Sequence, residues 1–302
     1  MISYKKDKKG KIINQNYIEK LVKAHKSNWL DRAKKKTDKY RTAGKVTDKN
    51  GHIWSEIKEV FMTIQGNKCA FCETELEGQN YGKGVHDVEH FRPKNRITKW
   101  KPSKEFNSLG ISITSTTNIK GYHLLTYNLL NYSMSCGPCN QTLKSDRFPI
   151  KGSYKNHMED PKAEFNDEEP LLIYPIADID TDCEELICFE GPVPKAVKTT
   201  GLEYERAQTT IDFFRLARAD ERSKLFKERS EVILLINIFI GSESDTSKYD
   251  DLVGTLISDT SKHANCTRSY LELLKNDPVK AKEIFNEARQ FIATYIPDSE
   301  LG

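Results

Sequence analysis

Two short stretches of identical spacing, "CAFC" at Cys69–Cys72 and "CGPC" at Cys136–Cys139, decide how this chain is read. Two thiolates in a C-x-x-C pair can clamp half of a tetrahedral Zn²⁺ ion, and four sulfurs with no water make a closed structural site rather than a catalytic one. In small peptides such a site contributes on the order of 10 kcal/mol to folding. That is enough to pin two distant segments together, and residues 73–135 become an excursion that leaves and returns to one point. Seven cysteines are an odd number, no apolar leader precedes them, and reduced thiols with metal are therefore expected rather than disulfides. Cys183, Cys188 and Cys266 stand outside the pairs and read as ordinary core residues.

The composition, 37% hydrophobic and 30% charged over 302 residues, is that of a soluble globular chain long enough for two domains. No segment approaches a membrane span, and a cytoplasmic location is expected. The net charge of +3 conceals an asymmetry. Residues 1–150 carry 28 Lys and Arg against 14 Asp and Glu, whereas residues 151–302 carry 19 against 30. A basic half of this kind suits a polyanion such as nucleic acid, and the acidic half points to another duty.

Hydropathy divides the chain into a basic helical segment over 1–53, a central domain over 54–152 and an acidic, mainly helical part over 153–302. The first segment reads as one basic helix ending near Gly44. Ile53, Ile57, Val60, Phe61 and Ile64 form an apolar stripe that stops at Gly66, a natural helix terminator just before the first cysteine pair. Residues 78–84 and 101–121 read as loops, 122–132 as an apolar helix or extended segment, and 140–147 as the start of a helix. Beyond Pro149, "LLIYPI" and "ELICFEG" read as short strands. From Glu203 onward the periodicity is that of a helical bundle. The fold class is α+β.

On the excursion lies "KGVHDVEHFRPKNR", Lys83–Arg96, with Glu89 beside His90 and Arg92, Pro93 and Lys94 just after. A carboxylate that can hold a metal, an imidazole that can take a proton and nearby cations suit phosphodiester chemistry, although a solvated charged loop has the same composition. Neighbours in a regular strand point to opposite faces. Glu89 and His90 can share a site only at a strand end or a distortion, which Pro93 makes plausible.

The order C-x-x-C, Val88-Glu89-His90-Phe91-x-Pro93-Lys94, Asn131, Cys136-x-x-Cys139-Asn140-x-x-x-Lys144 and Phe148-Pro149 resembles the zinc-framed HNH, or ββα-metal, endonucleases. More narrowly, "VEHFRPK" with "SCGPCNQTLKSDRFP" resembles the HNH nuclease subunit of Septu-type anti-phage defence systems, also an effector in some retron operons. The motifs cover residues 54–150, and a weaker likeness extends through "EEPLLIYP" and "TTIDFFRLARADERSKLFKERSE". The resemblance implies a small ββα-metal core with a structural zinc site formed by the four cysteines Cys69, Cys72, Cys136 and Cys139. It further implies His90 as general base, Asn131 as the residue orienting it, and Glu89 and Asn140 as ligands of a catalytic Mg²⁺ or Mn²⁺. Many family members have Asp where Glu89 stands. Arg92, Lys94, Lys144 and Arg147 are candidate phosphate contacts. An ATPase of the SMC or ABC kind is the implied partner of the acidic half, and DNA the favoured substrate. An RNA substrate such as tRNA, or a zinc-framed module that binds nucleic acid without cutting, remains open on the residues alone.

Overall fold

The computed structural model describes residues 1–48, 50–78, 86–114, 119–163, 165–240 and 250–295. The loop expected at 78–84 falls almost entirely outside the described residues. The basic amino-terminal segment forms two helices where one was expected, α1 (Gln15–His25) and α2 (Trp29–Ala43). The break falls at Lys26, Ser27 and Asn28, where the Lys26 N–H closes α1 on the Val22 carbonyl and the Trp29 N–H turns back to the Lys26 carbonyl. α2 ends at Gly44, whose φ of 62° is the left-handed conformation that glycine adopts at no steric cost. Both helices are anchored to the central region. The Trp29 indole N–H donates to the Ile53 carbonyl at 2.7 Å, and Tyr40 stacks on Tyr127 with centroids 5.8 Å apart.

One 3₁₀ turn, Trp54–Ile57, leads into α3 (Lys58–Ile64), which buries Val60 and Phe61 as the apolar stripe requires. Gln65 then acts as a staple: its amide donates to the carbonyls of Lys68 and Met134 and accepts from the Met134 N–H at 2.7 Å. Strand β1 (Asp87–His90) is followed by two short strands, β2 (Arg96–Ile97) and β3 (Ile119–Lys120), which pair with each other. β1 itself pairs antiparallel with β4 (Tyr132–Ser135), so that Glu89 faces Ser133 and His90 faces Tyr132 across the ladder. Between β3 and β4, residues 122–132 make two 3₁₀ turns, His123–Leu125 and Leu129–Asn131, in place of a regular helix. The helix after β4 begins earlier than expected and is a π-helix, Pro138–Lys144, in which the Ser145 N–H donates to the Asn140 carbonyl five residues back.

"LLIYPI", expected as a strand, joins no ladder beyond the single bridge of Ile176 to Tyr4. The Leu171 N–H donates to the Pro149 carbonyl, and buried side chains take several of the remaining backbone groups. Thr210 accepts from the Ile173 N–H, Asp180 accepts from the Tyr174 N–H, and Arg206 donates to the carbonyls of Pro170 and Leu172. "ELICFEG" is divided between a turn of helix, Cys183–Leu186, and β5 (Ile187–Glu190), which forms a hairpin with β6 (Val193–Ala196). Helices α4 (Gly201–Phe213), α5 (Ser223–Ile240), α6 (Asp250–Leu256), α7 (Ala264–Asn276) and α8 (Pro278–Thr294) complete the chain, with α8 packed along α5 and α7. A continuous apolar core runs from Met1 to Ala288 and joins the three segments that charge and hydropathy separate. No described helix is long and apolar enough to cross a membrane.

Candidate metal and catalytic site

The four cysteines of the two pairs come together. Their sulfurs all lie within 4.8 Å of one another, and Cys72 Sγ stands 3.7 Å from Cys136 Sγ. Sulfurs held about 2.3 Å from one tetrahedral ion stand roughly 3.8 Å apart, so the donor set fits Zn²⁺ in chemistry and in spacing. The knuckle is shaped by Glu73, whose φ of 63° turns the chain back after Cys72, and by the Ala70 N–H, which donates to the Met134 carbonyl of β4. Hydrogen bonds from Cys136 and its neighbours hold the Cys72 thiol well below its usual range, and the same contacts push Cys139 well above it. Negative charge shared among four clustered sulfurs is what a divalent cation relieves.

A fifth residue belongs to this site and was not legible in the motif. Arg222, just before α5, places its guanidinium nitrogens 3.7 and 3.8 Å from Cys139 Sγ. Burial works against the Arg222 charge, yet the neighbouring thiolates outweigh it and hold the guanidinium pKa up. Phe214 stacks on Phe71 with centroids 4.2 Å apart, so the helical part closes one side of the knuckle. The Met1 ammonium pairs with Glu73 Oε1 at 2.8 Å nearby, and despite burial that charge lowers the Glu73 carboxyl to about 2.

Glu89 and His90 occupy the last two positions of β1, and each turns to its own partners. The Glu89 carboxylate is buried 3.2 Å from the Lys144 ammonium, the last residue of the π-helix that carries Cys139. Burial pushes Glu89 up to about 7, with Lys144 acting in the opposite direction, and burial likewise lowers Lys144. His90 is buried between Trp54 and Tyr132, edge-on to both rings at 4.9 and 5.1 Å. Its Nε2 lies 3.0 Å from the Thr126 carbonyl oxygen. A carbonyl only accepts, so Nε2 carries the proton and Nδ1 keeps the lone pair. Burial first, and the Lys94 charge second, hold the His90 pKa well below its ordinary value.

Asn131 is fully buried and pins the chain just after His90. Its Oδ1 accepts from the Arg92 N–H at 2.8 Å, and its Nδ2 donates to the carbonyls of Arg92 and Leu125 at 3.0 and 3.2 Å. It therefore touches the backbone that carries His90 and not the ring. Asn140 sits half-buried in the π-helix, and among the described residues no hydrogen bond joins its side chain to Glu89 or His90.

The four candidate phosphate contacts separate. Arg92, expected at the surface, is buried, with Nε 2.7 Å from Glu168 Oε2 and four aromatic rings around its guanidinium. Glu168 also accepts the Tyr122 hydroxyl, which commits the trio to the core. Lys144 is likewise fully buried against Glu89, and neither cation faces an incoming strand. Arg147 donates to the carbonyls of Thr142 and Leu143 and so caps the π-helix. Lys94 is half-buried, its ammonium 4.7 Å above the Trp54 ring, and its charge acts on both Glu89 and His90.

No protein-family model matches the chain, and no solved structure matches it. Among curated proteins, the Septu protein PtuB of Bacillus mycoides (strain KBAB4) is 27% identical over 172 residues, which make up 57% of the chain. They make up 51% of PtuB, so the chain spans about half the length of that curated relative. Over those residues the chain is similar to this Septu protein.

Proposed function

We propose that the chain is a metal-dependent HNH endonuclease, the nuclease of a Septu-type anti-phage defence complex, hydrolysing phosphodiester bonds with DNA favoured as substrate. The observation that carries this reading is the state of His90. Its Nε2–H is fixed by the Thr126 carbonyl, which leaves Nδ1 as the proton acceptor, and its lowered pKa keeps it unprotonated near neutral pH. His90 Nδ1 takes the proton of the attacking water. Asn131 holds the backbone on which His90 stands and so acts as a positioning residue. Lys94, charged and coupled to both acid and base, holds the scissile phosphate.

Glu89 and Asn140 are the residues that would hold the catalytic Mg²⁺ or Mn²⁺. One carboxylate and one amide oxygen are a hard-donor set of the kind Mg²⁺ accepts when water and phosphate oxygens complete the shell. When bound, the ion acts as a Lewis acid on the phosphate. Glu89 would hold the ion only as the carboxylate, the form that the Lys144 ammonium already faces.

The test is cleavage of plasmid DNA and of total tRNA, in parallel, by the wild-type chain and by His90→Ala, each with Mg²⁺, Mn²⁺ or chelator and with the partner protein present. Metal-dependent cutting lost in His90→Ala supports the reading and names the substrate. No cutting under any condition sinks it. A second reading, a zinc-framed module that binds nucleic acid without cutting, is favoured by the Lys144–Glu89 pair, which already neutralises the carboxylate. In that case His90→Ala leaves function intact.

The acidic helical half is assigned to docking an ATPase partner. Arg222 and Phe214 tie that half to the zinc knuckle, so its removal would damage the nuclease as well. Charge reversal at Glu283 and Glu287, both exposed on α8, is the cleaner test. Unchanged co-purification with the ATPase would count against docking through that face.

A further inference from the structure

Trp54 has contacts that the proposed hydrolysis does not use. Among the chain's three tryptophans, Trp29 is fully buried, Trp100 is 9% exposed, and Trp54 is half-buried beside His90. His52 stacks on one face of the indole, with centroids 4.1 Å apart and planes within 23°. The Lys94 ammonium lies over the ring at 4.7 Å from its centroid, and Tyr127 tilts against the indole at 5.9 Å. His90 meets the indole edge-on at 4.9 Å, so the platform adjoins the candidate base directly.

Lys94 differs from the cations around it. Arg92 is paired with Glu168, Arg96 with Asp146 and Lys144 with Glu89, whereas among the described residues no carboxylate lies within ion-pair distance of Lys94. Its ammonium rests on an aromatic face, a weak partner compared with the charge-assisted hydrogen bonds that a phosphate oxygen accepts. A phosphate delivered to His90 therefore draws Lys94 off the ring. The surface it leaves is aromatic, stacked by His52 and adjoining His90. Stacked bases gain roughly five- to a hundredfold in affinity on such platforms without regard to sequence.

We infer that Trp54 is a base-stacking subsite beside His90, covered by Lys94 until phosphate takes the ammonium. The substrate accordingly presents an unstacked nucleobase next to the scissile phosphate, as a single strand or a flipped-out nucleotide does and an undistorted duplex does not. The inference rests on the nuclease reading only for the identity of that phosphate as the one cut.

The experiment uses the full zinc-loaded chain without added Mg²⁺ or Mn²⁺. Binding of a short single strand, of the same strand with abasic sites and of its duplex is followed by anisotropy and by tryptophan emission. The intact strand is expected to bind about tenfold tighter than the abasic one and to quench Trp54. Trp54→Leu should close that gap, and Trp54→Phe should restore most of it. Lys94→Gln, which breaks no ion pair among the described residues, should weaken intact and abasic strands alike while preserving their ratio and the quench. Equal affinity for intact and abasic strands without quenching overturns the inference, as does a base-dependent gap that survives Trp54→Leu. Cleavage, measured separately with metal, separates the two claims: cutting that ignores Trp54 removes the subsite and leaves the nuclease, whereas quenching without any cutting does the reverse.

Discussion

The Lys144 ammonium lies 3.2 Å from Glu89 Oε1, with both side chains buried, and it joins the helix that carries Cys139 to the strand that ends in His90. The pair supplies a positive charge from within the protein at the place where the proposed divalent ion would sit.

Breaking this pair at one end should be costly. Well above pH 7, where Glu89 is ionised in the folded chain, Lys144→Met leaves a buried carboxylate without its cation, and such a loss is on the order of 3–5 kcal/mol. Glu89→Gln with Lys144→Met removes both charges at similar volume and should recover most of it. Urea unfolding of the zinc-loaded proteins reads both numbers, and equal losses in the single and double variants would show that the pair is not coupled.

Stability should also depend on pH through Glu89. Its carboxyl is raised from 4.5 to about 7 in the folded chain, mainly by burial. The unfolded chain releases that proton first. The contribution of Glu89 is therefore complete below pH 4.5 and is lost as pH rises through about 7, by up to about 3 kcal/mol. Glu89→Gln should flatten this limb, so its unfolding free energy relative to wild type should climb from about pH 4 to about pH 8. A difference that stays constant with pH would contradict the burial argument.

Zinc retention should depend on Arg222. The guanidinium beside Cys139 Sγ offsets part of the charge of four thiolates, and outer partners of this kind typically change metal affinity by about 10- to 100-fold. Arg222→Met should lose zinc to a competing chelator within that range, whereas Arg218→Gln, whose partner Asp220 is exposed, should not. Stripping zinc entirely should unfold the knuckle and the β1–β4 ladder together, visible as a loss of cooperative melting.

Two cations close in sequence should behave oppositely. Arg92→Met should cost roughly 3–5 kcal/mol of stability because Glu168 is left buried and unpaired. Lys94→Gln should leave stability within about 1 kcal/mol and instead weaken nucleic-acid binding, lowering its salt slope by about 1. Comparable melting of both variants with equal loss of binding would refute the division.

Much of the frame is legible in the chain itself because its signals are local. Matched C-x-x-C spacing foretells the four-sulfur cluster, Gly44 and Gly66 mark the ends of α2 and α3, and helical periodicity marks the last hundred residues. Local signals fail where tertiary partners replace local ones. "LLIYPI" has the composition of a strand, but Arg206, Asp180 and Thr210 take several of its backbone hydrogen bonds. Residues 122–132 are apolar enough for a helix, yet they close into 3₁₀ turns that bring the Thr126 carbonyl to His90 and Asn131 to the backbone at Arg92.

Residue type and spacing thus determined by themselves that two cysteine pairs would meet and that the first half would be basic. Only the tertiary structure decided which charges remain available. Arg92, Lys144, Arg147 and Lys94 are alike as sequence symbols, but a cation in the interior must be paired where it is desolvated, and Glu168 and Glu89 come within reach of Arg92 and Lys144 only when the chain has closed on itself. Lys94 lies half-buried over the Trp54 ring, with no carboxylate within ion-pair distance among the described residues.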